Sequence, residues 1–191
     1  MNPHESFSHS LVLSKLWLCE KLEQVLDNEN IKNPEVNILA SWDSLLAFML
    51  LTRRPKFYKM INAYDIDPSA TKNANKICDH WQFEYPKVFN HTKDINTLDF
   101  SNAEPDSIYI NCSVDQINNT TWYNVIPDNS LICIQSTDLP VTHSLWDITQ
   151  GYNNLKEITD VYPVSRLIYH DSVKIEYNHY SFSRHMLIGI K

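Results

Sequence analysis

Three short stretches carry side chains that could do chemistry, and each follows an apolar run. Tyr64-Asp65-Ile66-Asp67-Pro68 closes one run, and Ala40-Ser41-Trp42-Asp43-Ser44 closes the run before it. From Ala40 to Asp65 is about one strand–helix–strand step. An acid so placed can accept hydrogen bonds from two vicinal ribose hydroxyls and would disfavour a 2′-phosphate. Ile66 would flank the same ligand. Asp65 could instead open the next helix, a role that suits Asp67 better, because Pro68 fits a first helical turn. The third stretch is Asn111-Cys112-Ser113-Val114-Asp115-Gln116. Asn111 and Ser113 could orient a substrate by hydrogen bonds, and Asp115 could act as general base or hold a substrate cation. The same residues also spell a helix cap, with Ser113 as N-cap and Gln116 as its capping-box partner. Gln135-Ser136 could face the same crevice or form a turn. Arg184 could bind a substrate carboxylate, although a salt bridge is the simpler role.

Such groups need elements to hold them. Leu11, Leu16, Leu18, Leu22, Val25 and Leu26 lie near helical spacing, which predicts an amphipathic helix over 8–26. Short apolar runs predict strands over 36–39, 57–64, 107–111 and 130–135, with a weaker one over 88–91. Helices are expected over 44–52, 69–80 and 115–125, with a short one over 145–152. From Leu155 onward the chain reads as strands, at 164–169, 173–177 and 185–190. Strands alternating with helices over the first 135 residues imply a parallel sheet with helices on both faces. The tail implies an antiparallel edge. The fold class is therefore α/β: a Rossmann-like, mostly parallel sheet of about seven strands with an antiparallel C-terminal edge. A single domain over 1–191 is expected, with an N-terminal helical segment (1–34), ligand-binding βα units (35–135) and C-terminal strands (136–191). Ligands in such sheets sit at the carboxyl ends of the strands.

The 191 residues are 43% hydrophobic with a net charge of −7, enough for a core and unsuited to bulk nucleic-acid binding. Arg53, Arg54 and Lys56 form the one small basic patch, which reads best as a solvated loop. Four cysteines without close pairing read as free thiols. The eight histidines lack close metal-ligand spacing, so no metal is expected. No signal peptide or membrane span is apparent, and a cytoplasmic protein is expected. Only two glycines occur, Gly151 and Gly189. Tight backbone approaches must therefore be made by other residues.

Tyr64-Asp65-Ile66-Asp67-Pro68, followed by an Ala/Asn-rich helix, resembles the second motif of class I S-adenosylmethionine (SAM)-dependent methyltransferases. The three glycine places of that family's first motif fall here on Ala40, Trp42 and Ser44, and its usual acid falls on Ile38. More of the chain resembles short phage-associated methyltransferase-like proteins: Ser14-Lys15-Leu16-Trp17-Leu18-Cys19, Ala40-Ser41-Trp42, Asn111–Gln116, Leu131–Ser136 and Arg184–Gly189 match in order. Where those proteins carry Glu-His, this chain has Asp115-Gln116. The resemblance implies SAM as cofactor. It would be held by Asp65 and Ile66 at the ribose, Ala40, Ser41, Trp42 and Asp43 around the methionine portion, Asp94 at the adenine amino group, and Asn111. Acceptor chemistry would fall to Asn111, Ser113 and Asp115. A small molecule or a protein is the expected acceptor, and the chain a monomer or homodimer. Trp42 could stack on the cofactor or plug its place. Two alternatives stay open: a non-catalytic binding module on the same fold, and another use of SAM such as aminopropyl transfer.

Overall fold

The computed structural model describes residues 7–82, 88–143, 147–176 and 180–191. Seven strands form one sheet: β1 (Glu35–Leu39), β2 (Met60–Asp65), β3 (Val88–Thr92), β4 (Ile108–Asn111), β5 (Leu131–Thr137), β6 (Arg166–Glu176) and β7 (Ser181–Ile190). Their order is β3-β2-β1-β4-β5-β7-β6. The first five are parallel, while β7 runs antiparallel to β5 and to β6. Strand order reverses between β1 and β4, so the crevice for a ligand lies above the ends of these two strands.

Period-two alternation sorts the strands onto two cores. Val36, Ile38, Ile108, Ile110, Leu131, Cys133, Met186 and Ile188 face one, with Leu18, Leu22 and Leu26 of α1 (His9–Asn28), Leu46 and Leu50 of α2 (Leu45–Arg53) and Cys78 of α3 (Pro68–Gln82). Leu39, Tyr109, Ile132, Ile134 and Leu187 face the other. There they meet Trp122 and Tyr123 of α4 (Thr121–Asn124), Ile158 of α5 (Leu155–Val161), and Tyr152 and Tyr162. Long helices cover the first face. The second is covered by short elements and aromatic side chains, whose larger burial per residue compensates for missing helix.

α1 buries Ser10, Ser14, Leu18, Leu22, Val25 and Leu26, a stripe at steps of three and four. Leu16, expected on that face, points outward at 39% exposure. α1 ends with Asn30 left-handed and the Ile31 N–H donating to the Leu26 carbonyl, a glycine-type stop made with asparagine.

Four expectations differ. The helix expected over 115–125 is broken into a 3-10 turn at Val114–Gln116 and the short α4. Asn118, Asn119 and Thr120, whose side chains compete for backbone groups, lie between them. The helix expected over 145–152 is not formed over the described residues 147–152, and the rest of that range lies outside them. Leu155–Val161, read as strand-like, is helix α5, started by Asn154, whose side chain accepts from the Glu157 N–H at 3.1 Å. The two strands expected over 164–169 and 173–177 are one strand with a bulge at Leu167/Tyr169, and residue 177 lies outside the description.

Candidate functional site

The corner after β1 is where the sequence departs most from the glycine pattern, yet its backbone takes glycine's conformations. Ala40, Trp42 and Ser44 have φ of 55°, 51° and 56°. Neither of the chain's glycines is left-handed. The other left-handed residues described are Asn30, Asn33 and Asn129. Asparagine tolerates this region because its short polar side chain bonds locally. Ala, Trp and Ser do not share that ease, and each position costs about 1–2 kcal/mol relative to a right-handed residue. Backbone strain of this non-asparagine kind is thus concentrated at one loop.

Hydrogen bonds hold the loop against β2. The Ser41 N–H donates to the Tyr64 carbonyl at 2.8 Å, and the Trp42 N–H to Asp65 Oδ2 at 2.7 Å. Asp65 Oδ1 accepts from the Asp67 N–H at 3.0 Å. Ser44 Oγ donates to Asn90 Oδ1 at 2.6 Å, tying the loop to β3. Burial raises the Asp65 carboxyl above the usual range; Asp67 and Asp43 push the same way, while the two N–H bonds oppose. Each carboxylate oxygen has a second lone pair free for a hydroxyl. Asp67 opens α3: its Oδ1 accepts from the Ser69 N–H at 2.8 Å, and Pro68 is the first helical residue. Asp43 is buried, whereas Ile66 is 68% exposed beside Asp65.

The neighbouring strand ends complete the crevice. The Lys93 N–H donates to the Asp65 carbonyl, which sets Asp94 next to the β2 end. Asp94 caps a 3-10 turn, with Oδ1 accepting from the Asn96 N–H at 2.9 Å and from Asn96 Nδ2 at 3.0 Å. Asn111 pairs with Leu39 across the β1–β4 ladder. Its Oδ1 accepts from the Ser113 N–H at 2.9 Å, while its buried Nδ2 has no partner. Ser113 is half-buried and makes no side-chain cap bond, so the expected capping box is not formed. The structure therefore brings Ala40–Ser44, Asp65 and Asn111 to one crevice, with Asp94 at its β3 side.

Asp115 lies apart from that group. It is 2% exposed, with Oδ2 at 3.6 Å from Arg184 Nη1 on β7. Burial raises its carboxyl, and Arg184 opposes the rise. Arg184 thus takes the salt-bridge role. Its Nε also donates to Ser14 Oγ of α1 at 3.2 Å. Ser14 Oγ donates to Gln135 Oε1, and Gln135 Nε2 donates to the Ser14 carbonyl, both at 3.1 Å. Gln135 and Ser136 are buried within β5 and are not turn residues. Ser14 and Gln135 were not singled out from the sequence as a pair. The available signal was Ser10 and Ser14 at a spacing of four within the apolar stripe of α1, because buried polar groups need partners.

Two of the three basic-patch residues are paired: Arg53 is bound through two hydrogen bonds to Glu23, and Arg54 pairs with Asp27 while stacking on Phe57. All four cysteines are free and buried. Among the described residues no group of three or more His, Cys, Asp or Glu could hold a metal ion, and no helix is long and apolar enough to cross a membrane.

No family model and no curated protein matches this sequence. The fold, in contrast, matches solved structures. The N-methyltransferase NodS from Bradyrhizobium japonicum WM9, in complex with S-adenosyl-l-homocysteine, superposes with a TM-score of 0.62 at 10% identity over 92% of this chain and 87% of that one. Magnesium protoporphyrin IX methyltransferase (ChlM) from Synechocystis PCC 6803 with bound SAM gives 0.60 at 9% identity over 93% and 80%. The MccD protein gives 0.65 at 12% identity over 88% and 95%. The likeness is one of fold: a Rossmann-like, methyltransferase-type sheet spanning nearly the whole chain.

Proposed function

We propose that the chain is a SAM-dependent methyltransferase acting on a small-molecule or protein acceptor. One observation carries the reading: the loop after β1 keeps three left-handed residues without glycine, and its Trp42 N–H fixes the Asp65 carboxylate beside it. Left-handed non-glycine residues cluster at active sites and ligand clamps, and three of them in one loop support a ligand site there. The residues present fit an adenosyl group. Asp65 keeps lone pairs for ribose hydroxyls, Asp94 keeps one carboxylate oxygen outside its cap for an adenine amino group, and the buried, unpartnered Asn111 Nδ2 is a donor at the strand-order reversal. Ala40–Asp43 would border the methionine portion.

When bound, the cofactor supplies a methyl group on a sulfonium. The protein's part is alignment and exclusion of water. Asn111 and Ser113, at the β4 end, orient the acceptor. Asp115 shapes that side through its ion pair with Arg184 and takes a proton only where the acceptor itself reaches its Oδ1, which has no partner.

A binding module with no transfer activity is the second reading, favoured by the side chains standing at all three glycine places and by the near-complete burial of Asp115. Thermal unfolding with SAM or S-adenosylhomocysteine tests the cofactor site. Ligand at a hundred times its dissociation constant adds about 2.7 kcal/mol, a clear rise in melting temperature. Asp65→Ala should abolish the rise. No shift at millimolar ligand leaves the module reading.

A further inference from the structure

We propose that the cleft at the amino ends of β1 and β2 is a second binding site, one that takes a small organic phosphate. It lies at the opposite end of the sheet from the crevice described above, and it stands independently of the SAM reading.

The cleft has a volume of about 390 Å³, within the range of small-molecule sites. It opens between the end of α1, the turn that enters β1 and the turn that enters β2. Leu26, Ile31 and Phe57 give it apolar lining, and Lys32, Arg54 and Lys56 bring three cations. Asp27 is the one acid that lines it.

The acids around the cleft are already engaged. Asp27 Oδ1 accepts from Arg54 Nη2 at 2.8 Å, and the Arg54 guanidinium carbon lies 3.9 Å from the centre of the Phe57 ring. Glu23 holds Arg53 through two hydrogen bonds, and Glu29 holds Arg166 through two more. Lys32 and Lys56, in contrast, are exposed and have no partner among the described residues. With Arg54 cancelled by Asp27, the lining keeps two uncompensated positive charges on a chain whose net charge is −7.

The donors define the ligand. Two separate ammonium groups suit an anion that spreads two charges over several oxygens, which is phosphate rather than a single carboxylate. The side-chain amides of Asn30 and Asn33 also border the cleft and are unengaged among the described residues, so they add donors for phosphate oxygens. The apolar lining beside these groups calls for an organic body on the phosphate. The acidity of the rest of the chain disfavours a polymeric phosphate.

The test follows backbone amide shifts of the full, nitrogen-15-labelled chain with three probes at matched ionic strength: sodium chloride, inorganic phosphate and phenyl phosphate. Inorganic phosphate should move the amides around Asn30–Asn33 and Arg54–Phe57, and chloride should not. Phenyl phosphate should bind about three- to ten-fold more tightly than inorganic phosphate, through the apolar lining. Lys32→Gln with Lys56→Gln changes two exposed side chains and should fold. It should weaken both phosphates about ten-fold or more. Lys72→Gln with Lys76→Gln on α3 makes the same change in net charge and should leave the affinities within about two-fold. Shifts that chloride reproduces, or an α3 variant that weakens binding as much as the cleft variant, would overturn the site. Phenyl phosphate binding no tighter than inorganic phosphate would overturn its assignment to an organic phosphate.

Discussion

The two sides of the crevice carry local costs of different kinds. After β1 the backbone is strained at Ala40, Trp42 and Ser44, and Trp42 is only partly buried. Beyond β4 no described residue of the segment 111–117 is left-handed, but a carboxylate and a guanidinium, Asp115 and Arg184, are buried together at 2% and 3% exposure. The difference lies in reversibility. Conformational strain at Ala40 can be relieved by substituting glycine there alone, with no side-chain bond to a neighbour lost. A buried charge cannot be relieved alone, because its partner is then left uncompensated in a low-dielectric interior. At the first corner the cost is thus local to single residues, whereas the second is a junction linking α1, β5 and β7.

The sharpest test of that contrast is Arg184→Leu. It strands the Asp115 carboxylate and removes the donor to Ser14 Oγ, and should cost about 3–5 kcal/mol in chemical denaturation. Changing Asp115 to Leu in the same chain should restore most of that loss, since replacing both charges by apolar groups is often neutral. If the single change is as mild as a surface substitution, the junction is not the rigid one described.

Next in size is Asp65→Ala. The loss falls on binding: the ligand-induced stabilisation of about 2.7 kcal/mol at saturating SAM should vanish, while the empty fold changes by about 1 kcal/mol or less. Two backbone N–H bonds are lost, but so is a charge that burial disfavours. The pH dependence has a definite sign. Burial places the folded-state value of Asp65 above that of the unfolded chain. Its contribution to the stability of the empty fold is therefore fully present below the unfolded value and lost as pH rises through the folded one. Acceptance of ribose hydroxyls runs the other way, because it needs the ionised form. Affinity for SAM should fall as pH is lowered through that raised value, and titration calorimetry over the acid range reads it. An affinity that stays level down to the ordinary aspartate range would remove Asp65 from the ribose.

The sheet and the ends of its strands were legible in the sequence, because buried parallel strands leave short apolar runs and each is followed by a polar segment. What was not legible had identifiable causes. Leu155–Val161 contains Ile158, Thr159 and Val161, which read as strand, yet Asn154 and Glu157 spell a capping box, and the Asn153 N–H returns to Glu157 Oε2 at 2.8 Å. That short polar signal outweighed β-branched composition. The ion pair of Arg184 was foreseen in kind, but its partner, Asp115, is distant in sequence and no local pattern names it. The left-handed run was hidden for the opposite reason. Its usual signature is glycine, and here Ala40, Trp42 and Ser44 adopt positive φ without it, so residue type gave no sign of the backbone.

The smallest effect bears most directly on that last point. Ala40→Gly should stabilise the fold by about 0.5–1 kcal/mol. Relief of about 1–2 kcal/mol of left-handed strain is partly offset by about 0.4–1 kcal/mol of added freedom in the unfolded chain. Ala40 is the clean position, because Ser44→Gly would also remove the bond to Asn90. Asn30→Gly is the control: φ there is 55°, the same as at Ala40, but asparagine already tolerates it, so the expected change is near zero or slightly negative. Two melts at matched conditions suffice. A gain at position 40 with none at position 30 establishes that the loop after β1 holds strain that ordinary turns of this chain do not. Equal responses would mean that residue type is irrelevant at these positions, and the strain would no longer mark a site.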